Sequence, residues 1–193
     1  MALPQWMSPL LAQSGHPAEE LDKALPPFDA AISRLGLMLF PSPSSSLKAT
    51  QRMLKPGARF AALVFTTPDR NPFMAQTMAI LLRCAGKSPP KPGQPGIFAL
   101  GGNGILERLM RDSGLAHVQT KHVTAPLNLP NASQALEMIQ EAFGAYRAVV
   151  ADLSDAEKSK AWNEVYACLK QFEGVDGFAT QFEFVIGVGA KAV

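Results

Sequence analysis

Two short apolar runs, at 28–34 and 58–65, are bounded by turn residues and separated by an interval the length of a helix. That arrangement predicts a strand–helix–strand unit, whose crossover makes the two strands parallel and right-handed in almost every known case. Parallel strands are covered on both faces as a rule, so the unbroken apolar run Phe60-Ala61-Ala62-Leu63-Val64-Phe65 fits the second strand better than an alternating pattern would. The fold class this dictates is α/β.

The rest of the chain extends the same pattern. Residues 35–40 are too apolar for a free loop, and Pro41 and Pro43 end that run. Ser44 to Ser46 can cap a helix whose apolar face is Leu47, Thr50 and Leu54. The turn-rich stretch Thr66-Thr67-Pro68-Asp69-Arg70-Asn71-Pro72 follows the second strand, at the end where open α/β sheets place ligands. A short apolar helix is expected over 73–83, then a Pro/Gly-rich connector from Ser88 to Gly96. The run 97–104 leads into a helix at 105–113, with Asn103 as the expected N-cap and Gly114 as its stop. A third strand is expected from His117 toward Leu129, with its core at 117–125. A helix then starts at Asn131, with Leu136, Ile139, Phe143, Tyr146 and Val150 on one face. Ser154-Asp155-Ala156-Glu157 is a capping box, and Trp162, Val165, Leu169 and Phe172 stripe the helix after it. A last strand is expected at 182–188. Residues 1–17 read as an N-terminal arm and 18–193 as one domain.

Several function classes are excluded by composition and motif. A net charge of +2, with Lys and Arg scattered, gives no footprint for nucleic acid. No apolar run approaches the ~18–20 residues of a membrane span. The N-terminus lacks the basic region and long apolar core of a secretory signal, so the expected compartment is the cytoplasm. Cys84 and Cys168 are too few for a disulfide framework or a metal site, and His16, His117 and His122 are scattered. There is no Gly-x-Ser-x-Gly elbow, no His-x-x-x-His or Cys-x-x-Cys pair and no phosphate loop with lysine. The cluster Gly101-Gly102-Asn103-Gly104 follows a strand-like run but lacks an acidic residue before its first glycine, and reads as the lead-in to a helix. No catalytic residue and no metal ligand is singled out.

The segments Phe28-Asp29-Ala30-Ala31-Ile32-Ser33-Arg34, Leu35-Gly36-Leu37-Met38-Leu39-Phe40-Pro41 and Met53-Leu54-Lys55-Pro56-Gly57-Ala58-Arg59 together resemble the second half of a class I S-adenosylmethionine-dependent methyltransferase. The likeness is to the ubiquinone/menaquinone-biosynthesis (methyltransferase type 11-like) branch and runs from about Ala18 to the C-terminus. It implies that the strands at 28–34 and 58–65 are the family's fourth and fifth, and that the last strand inserts antiparallel between the fifth and sixth. The helices near 73–84 and 131–172 would form a lid.

The resemblance also implies site residues. Ser33, Arg34 and Leu35 would line the methionine end of S-adenosylmethionine, with Phe40 beside them; Arg34 has an alternative as the ion-pair partner of Asp29 or Asp69. Thr66, Phe73, Met74, Met78 and Phe98 would line a pocket for a small apolar acceptor, although core packing accounts for such side chains equally well. Methyl transfer from a sulfonium needs positioning and exclusion of water more than acid–base groups. The family's glycine-rich cofactor loop is missing from the residues before Phe28, which are too few for three strands and their helices. Pro17-Ala18-Glu19 stands where the family has Asp-Ala-Glu, so the carboxylate facing the adenine is absent. Met7-Ser8-Pro9 matches the family's Asp-x-Ser-Pro segment only faintly. The chain is therefore expected to be an incomplete methyltransferase sheet whose strand at 28–34 presents a bare edge. A homodimer or hetero-complex closed through that edge follows as an expectation, as does a second possibility, a non-catalytic remnant serving as a binding or oligomerisation module.

Overall fold

A computed structural model describes residues 27–91 and 93–193; the expectations for the N-terminal arm, for Met7-Ser8-Pro9 and for Pro17-Ala18-Glu19 lie outside these residues. The first strand, β1 (Phe28–Arg34), runs parallel to β2 (Leu54–Phe65) through the helix α1 (Pro43–Met53). After β2 come α2 (Pro72–Cys84), α3 (Ile105–Asp112), β3 (Leu115–Leu129), α4 (Ala132–Ala142), α5 (Gly144–Val149), α6 (Asp155–Leu169), the two-residue β4 (Glu173–Gly174) and β5 (Gly177–Lys191). The sheet order is β1-β2-β5-β3, with β4 paired to β5. The last strand is antiparallel to both neighbours, with Leu63 opposite Ile186 and Lys121 opposite Ile186 on the other side. The mixed α/β sheet and the inserted antiparallel last strand are as expected.

Side-chain alternation assigns the helices to the two faces. Phe60, Ala62 and Val64 of β2 are buried and point to the same face as Val185, Gly187 and Gly189 of β5. A Cβ at Gly187 would lie 2.6 Å from Met110 Sδ and 3.0 Å from Leu106 Cδ2, so α3 rests directly on the β5 backbone. The crossover helix α1 packs beside α3 on this face. On the opposite face, Phe178, Phe182 and Phe184 point toward a second helical group, α2 with α4, α5 and α6. There Phe73 meets Phe172, Phe178 and Phe182 at centroid distances of 6.2, 5.8 and 5.7 Å. That group covers only the upper part of its face. Lower down, Ala61, Leu63, Ile186 and Val188 are half-buried and Ile32 is 82% exposed.

Some boundaries differ from the sequence reading, each for a local reason. Strand β2 begins four residues early: Lys55-Pro56-Gly57 lies within it as an irregular stretch, with Gly57 at φ 76° and a register shift against Phe28 and Ala30. The N-cap of α1 is Ser42, so Ser44 to Ser46 lie inside the helix, where Ser46 Oγ donates to the Ser42 carbonyl at 3.1 Å. Residue 104 caps α3 in place of Asn103, because Gly104 takes a left-handed φ of 70°. The helix expected over 131–150 breaks at Phe143 (φ −107°, ψ 92°), just before Gly144, into α4 and α5. The run 35–40 is a 3-10 turn, Leu37–Leu39, with Leu37 and Met38 buried. Asn131 caps α4, and the Ser154–Glu157 capping box and the Gly114 stop (φ 88°) are all present.

Candidate functional site

The C-terminal ends of the parallel pair β1 and β2 lie side by side, and the chain leaves both by tight turns. Leu35 N–H still donates to the Leu63 carbonyl at 2.9 Å, and Leu35 then takes a left-handed φ of 57°. For a residue with a branched side chain this costs about 1–2 kcal/mol, and such strain collects at functional positions. Ser33 Oγ accepts from Leu37 N–H at 3.1 Å, which holds the turn and leaves the Ser33 hydroxyl proton free to donate. A Cβ at Gly36 would sit 3.5 Å from Ser33 Oγ and 3.8 Å from the Phe40 ring, so Ser33, Gly36 and Phe40 lie together. Leu35 packs against the core from its edge. Arg34, one residue away from Ser33 along the strand, points to the opposite face of the sheet and forms no ion pair with Asp29 or Asp69: Asp29 pairs with Lys55 at 2.7 Å and Asp69 with Arg70 at 3.7 Å.

A loop bridges the two strand ends. Gly96 N–H donates to the Met38 carbonyl at 3.0 Å, and Phe98 stacks edge-on against Phe65 at 6.3 Å. Gly101 approaches β2 so closely that a Cβ there would lie 2.1 Å from the Thr66 carbonyl oxygen; only glycine fits. Ser33 with Phe40 and the aromatic group Phe65, Phe98, Phe182 and Phe184 both lie at the C-terminal end of the parallel pair, with Ser33 on one face of the sheet and Phe65, Phe182 and Phe184 on the other.

The other residues expected at the pocket differ in burial. Thr66 is buried, and its hydroxyl donates to the Glu183 carbonyl at 3.0 Å and accepts from Asn71 Nδ2 at 3.0 Å. Phe73 and Met74 have no exposed surface, while Met78 and Phe98 are partly buried. An acceptor reaching Phe73 or Met74 would need α2 to shift from α5 and α6.

Asn71 was read from sequence only as part of a turn-rich loop. It is fully buried, and its side chain donates to the Thr67 and Glu183 carbonyls at 3.2 and 3.1 Å and accepts from Glu183 N–H at 2.9 Å. That clip fixes the β2–α2 loop to β5, and an Asn before a Pro-initiated helix was its only sequence signal. Tyr146 is likewise buried; its hydroxyl donates to the Met74 carbonyl at 2.8 Å and lies 3.1 Å from Thr77 Oγ1. Burial pushes its phenol far above the ordinary range, with the Thr77 contact opposing, so it stays neutral and structural. A hydrogen bond from Thr67 leads the causes that hold the exposed Asp69 carboxyl below its usual range. Among the described residues no group of His, Cys, Asp and Glu can hold a metal, and no helix is long and apolar enough to cross a membrane.

Ser33 and Phe40 supply a hydroxyl and an aromatic ring, groups that the methionine end of a sulfonium nucleoside could use. Ribose hydroxyls call for an acidic partner, and residues 33–40 include none.

No protein-family model matches the sequence, and no curated protein matches it. Solved structures do. A protein of Bacillus halodurans C-125 described as a candidate methyltransferase is 13% identical, with 92% of this chain covering 70% of that one at a TM-score of 0.50. The YcgJ protein of Bacillus subtilis is 15% identical, with 91% covering 69% at 0.48. Phosphoethanolamine N-methyltransferase 2 of Haemonchus contortus, solved with S-adenosyl-L-methionine, is 13% identical, with 91% covering 36% at 0.43. Over the 92% of this chain that is matched, the α/β fold is that of the first of these.

Proposed function

We propose that this chain is the acceptor side of an S-adenosylmethionine-dependent methyltransferase of the ubiquinone/menaquinone-biosynthesis type, transferring a methyl group to a small apolar acceptor. The cofactor site is completed by a second polypeptide, a copy of this chain or another, that pairs with the edge of β1. The observation that carries this reading is the placement of Ser33 with Phe40, and of the Phe65/Phe98 pair, at the C-terminal ends of β1 and β2, the place where open α/β sheets bind ligands. Ser33, Leu35 and Phe40 would hold the methionine end. Arg34 would reach it only from the far face.

When bound, the cofactor supplies a methyl carbon already activated by its sulfonium. What the chain contributes is position and dryness. The 3-10 turn at Leu37–Leu39 and the loop at 96–101 flank Ser33 and Phe40, and the partly buried Phe98, braced edge-on by the buried Phe65, gives an apolar acceptor a flat surface away from water. No general base is required for an acceptor that attacks through an unprotonated lone pair. The helices α2 and α4–α6 act as the lid.

The test is calorimetric titration with S-adenosylhomocysteine while the mass in solution is recorded. Micromolar binding confined to species heavier than one chain is the expected result. Absence of heat at millimolar ligand in every assembled form would overturn the reading and leave a non-catalytic binding module.

A further inference from the structure

The lower part of the sheet face opposite α1 and α3 carries an apolar strip made by Ile32 of β1, Ala61 and Leu63 of β2, and Ile186 and Val188 of β5. These residues are in register across three strands. Charges on this face are all of one sign. Arg34 follows Ile32 by one alternation, Arg59 precedes Ala61, and Lys121 lies opposite Ile186. None of the three has an ion-pair partner among the described residues. The acidic residues of these strands, Asp29 and Glu183, point to the other face, toward Lys55 and His122. At the lower end the strip runs into a cavity of about 390 Å³ lined by Arg59, His117, Gln119 and Val188.

We propose that this face docks an amphipathic helix of a different polypeptide, one that sets an apolar stripe on Ile32, Leu63, Ile186 and Val188 and brings carboxylates to Arg34, Arg59 and Lys121. The occupant is a helix because the strands beneath it, β1 and β2, are parallel, and parallel pairs are covered by helices on both faces. Charge decides against a second copy. Two such faces brought together would oppose six cations with no anion between them, and like-charge juxtaposition in an interface costs several kcal/mol. A carboxylate-flanked helix instead gains at all three positions. The inference rests on the reading that a second polypeptide completes the sheet, and adds what that polypeptide must look like.

Two synthetic helical peptides about 20 residues and ~30 Å long, with identical leucine stripes and flanks of either glutamate or lysine, are titrated against the full chain. The glutamate peptide is expected to bind about tenfold more tightly at low salt, and the difference to shrink as salt rises. The R34E/K121E variant, changed only at exposed positions, should reverse that preference, and Ile32→Asp should weaken both peptides, with thermal melting showing each variant folded. Equal affinity for the two peptides, or a preference unchanged in R34E/K121E, overturns the proposal. So does a dimer of the chain that Ile32→Asp dissociates, which would make the occupant a second copy. Binding to vesicles containing phosphatidylserine that is lost in R34E/K121E would assign the face to a membrane and overturn it as well. Peptide binding is read without cofactor, so its failure and the failure of the S-adenosylhomocysteine titration are told apart.

Discussion

On one side of the β2–β5 pair, Phe60, Ala62 and Val64 meet α1 and α3 across glycines that let a helix touch the strand backbone. On the other side, Ala61, Leu63, Ile186 and Val188 come from the same strands, are equally apolar, and meet no helix of the described chain. Hydrophobicity therefore does not tell the two faces apart; what differs is which connections the chain supplies. The crossovers β1-α1-β2 and β2-α2-α3-β3 place α1 and α3 on one face, and α2 with α4–α6 reaches only the top of the other. Apolar surface left exposed at roughly 25 cal/mol per Å² is binding energy held for an occupant.

The contrast is broken most directly by truncating one residue on each face. Phe60→Ala should cost about 3–5 kcal/mol, because the ring is buried and its loss leaves a cavity under α1 and α3. Leu63→Ala, on the half-open face, should cost less than about 1.5 kcal/mol, since water already reaches the side chain. Urea unfolding gives both values, and equal costs would mean that the second face is covered in solution by something the chain itself provides.

A finer version uses additions in place of deletions. Gly187→Ala puts a methyl group 2.6 Å from Met110 Sδ, and the resulting overpacking should cost about 1–3 kcal/mol. Ile32→Ser on the open face should change stability by less than about 0.5 kcal/mol, as exposed substitutions do. If Ile32→Ser destabilised the chain as much as Gly187→Ala, Ile32 would have to be buried in the species present in solution. At the top of the sheet, in the loop that leads into α2, Asn71→Ala should cost about 1–3 kcal/mol by leaving Glu183 N–H without its acceptor.

Much of this architecture could be read from residues 28–65. Strand β1 has its expected bounds, and the Leu-Lys-Pro-Gly turn, together with the resemblance it carries, gives the strand order and the antiparallel insertion of β5. The run 60–65 misled in one respect. Unbroken apolarity predicts cover on both faces, and no periodicity within a strand reveals that part of one face is left without a covering helix among the described residues. The site was legible at the level of segments and less so at the level of residues. Ser33, Leu35 and Phe40 do gather at the strand ends, because sequence neighbours leaving a strand stay together. Arg34 lies on the other face, because alternate residues part ways in a strand. Thr66 has its hydroxyl committed to Asn71 and Glu183, and that link spans more than a hundred residues. Hydrogen bonds of that range leave no local trace in sequence.

The smallest effect lies where β4 and α4 meet and sharpens the comparison from the covered side. Glu173 Oε2 accepts from Ala132 N–H at 2.7 Å, at the first turn of α4, and Oε1 accepts from Lys170 Nζ at 2.9 Å. The Lys170 contact first, and the Ala132 N–H second, hold this carboxyl below its ordinary range against a small opposing effect of burial. A carboxyl whose folded pKa lies below its unfolded one binds fewer protons when folded. Its stabilisation is therefore complete above the unfolded carboxylate range and drains away as pH falls through the folded pKa. Melting temperature followed from neutral to strongly acid pH should fall less for Glu173→Gln than for the parent chain, with the two curves converging at the acid end. Glu157→Gln, which removes another depressed carboxyl at the capping box of α6, should behave in the same sense. Leu63→Ala should instead run parallel to the parent throughout, since no titrating group depends on it. Curves for Glu173→Gln and the parent that stay parallel would mean that the carboxylate does not tie α4 to the sheet, and that aromatic packing of Phe73 and Phe172 on β5 holds this helical group alone.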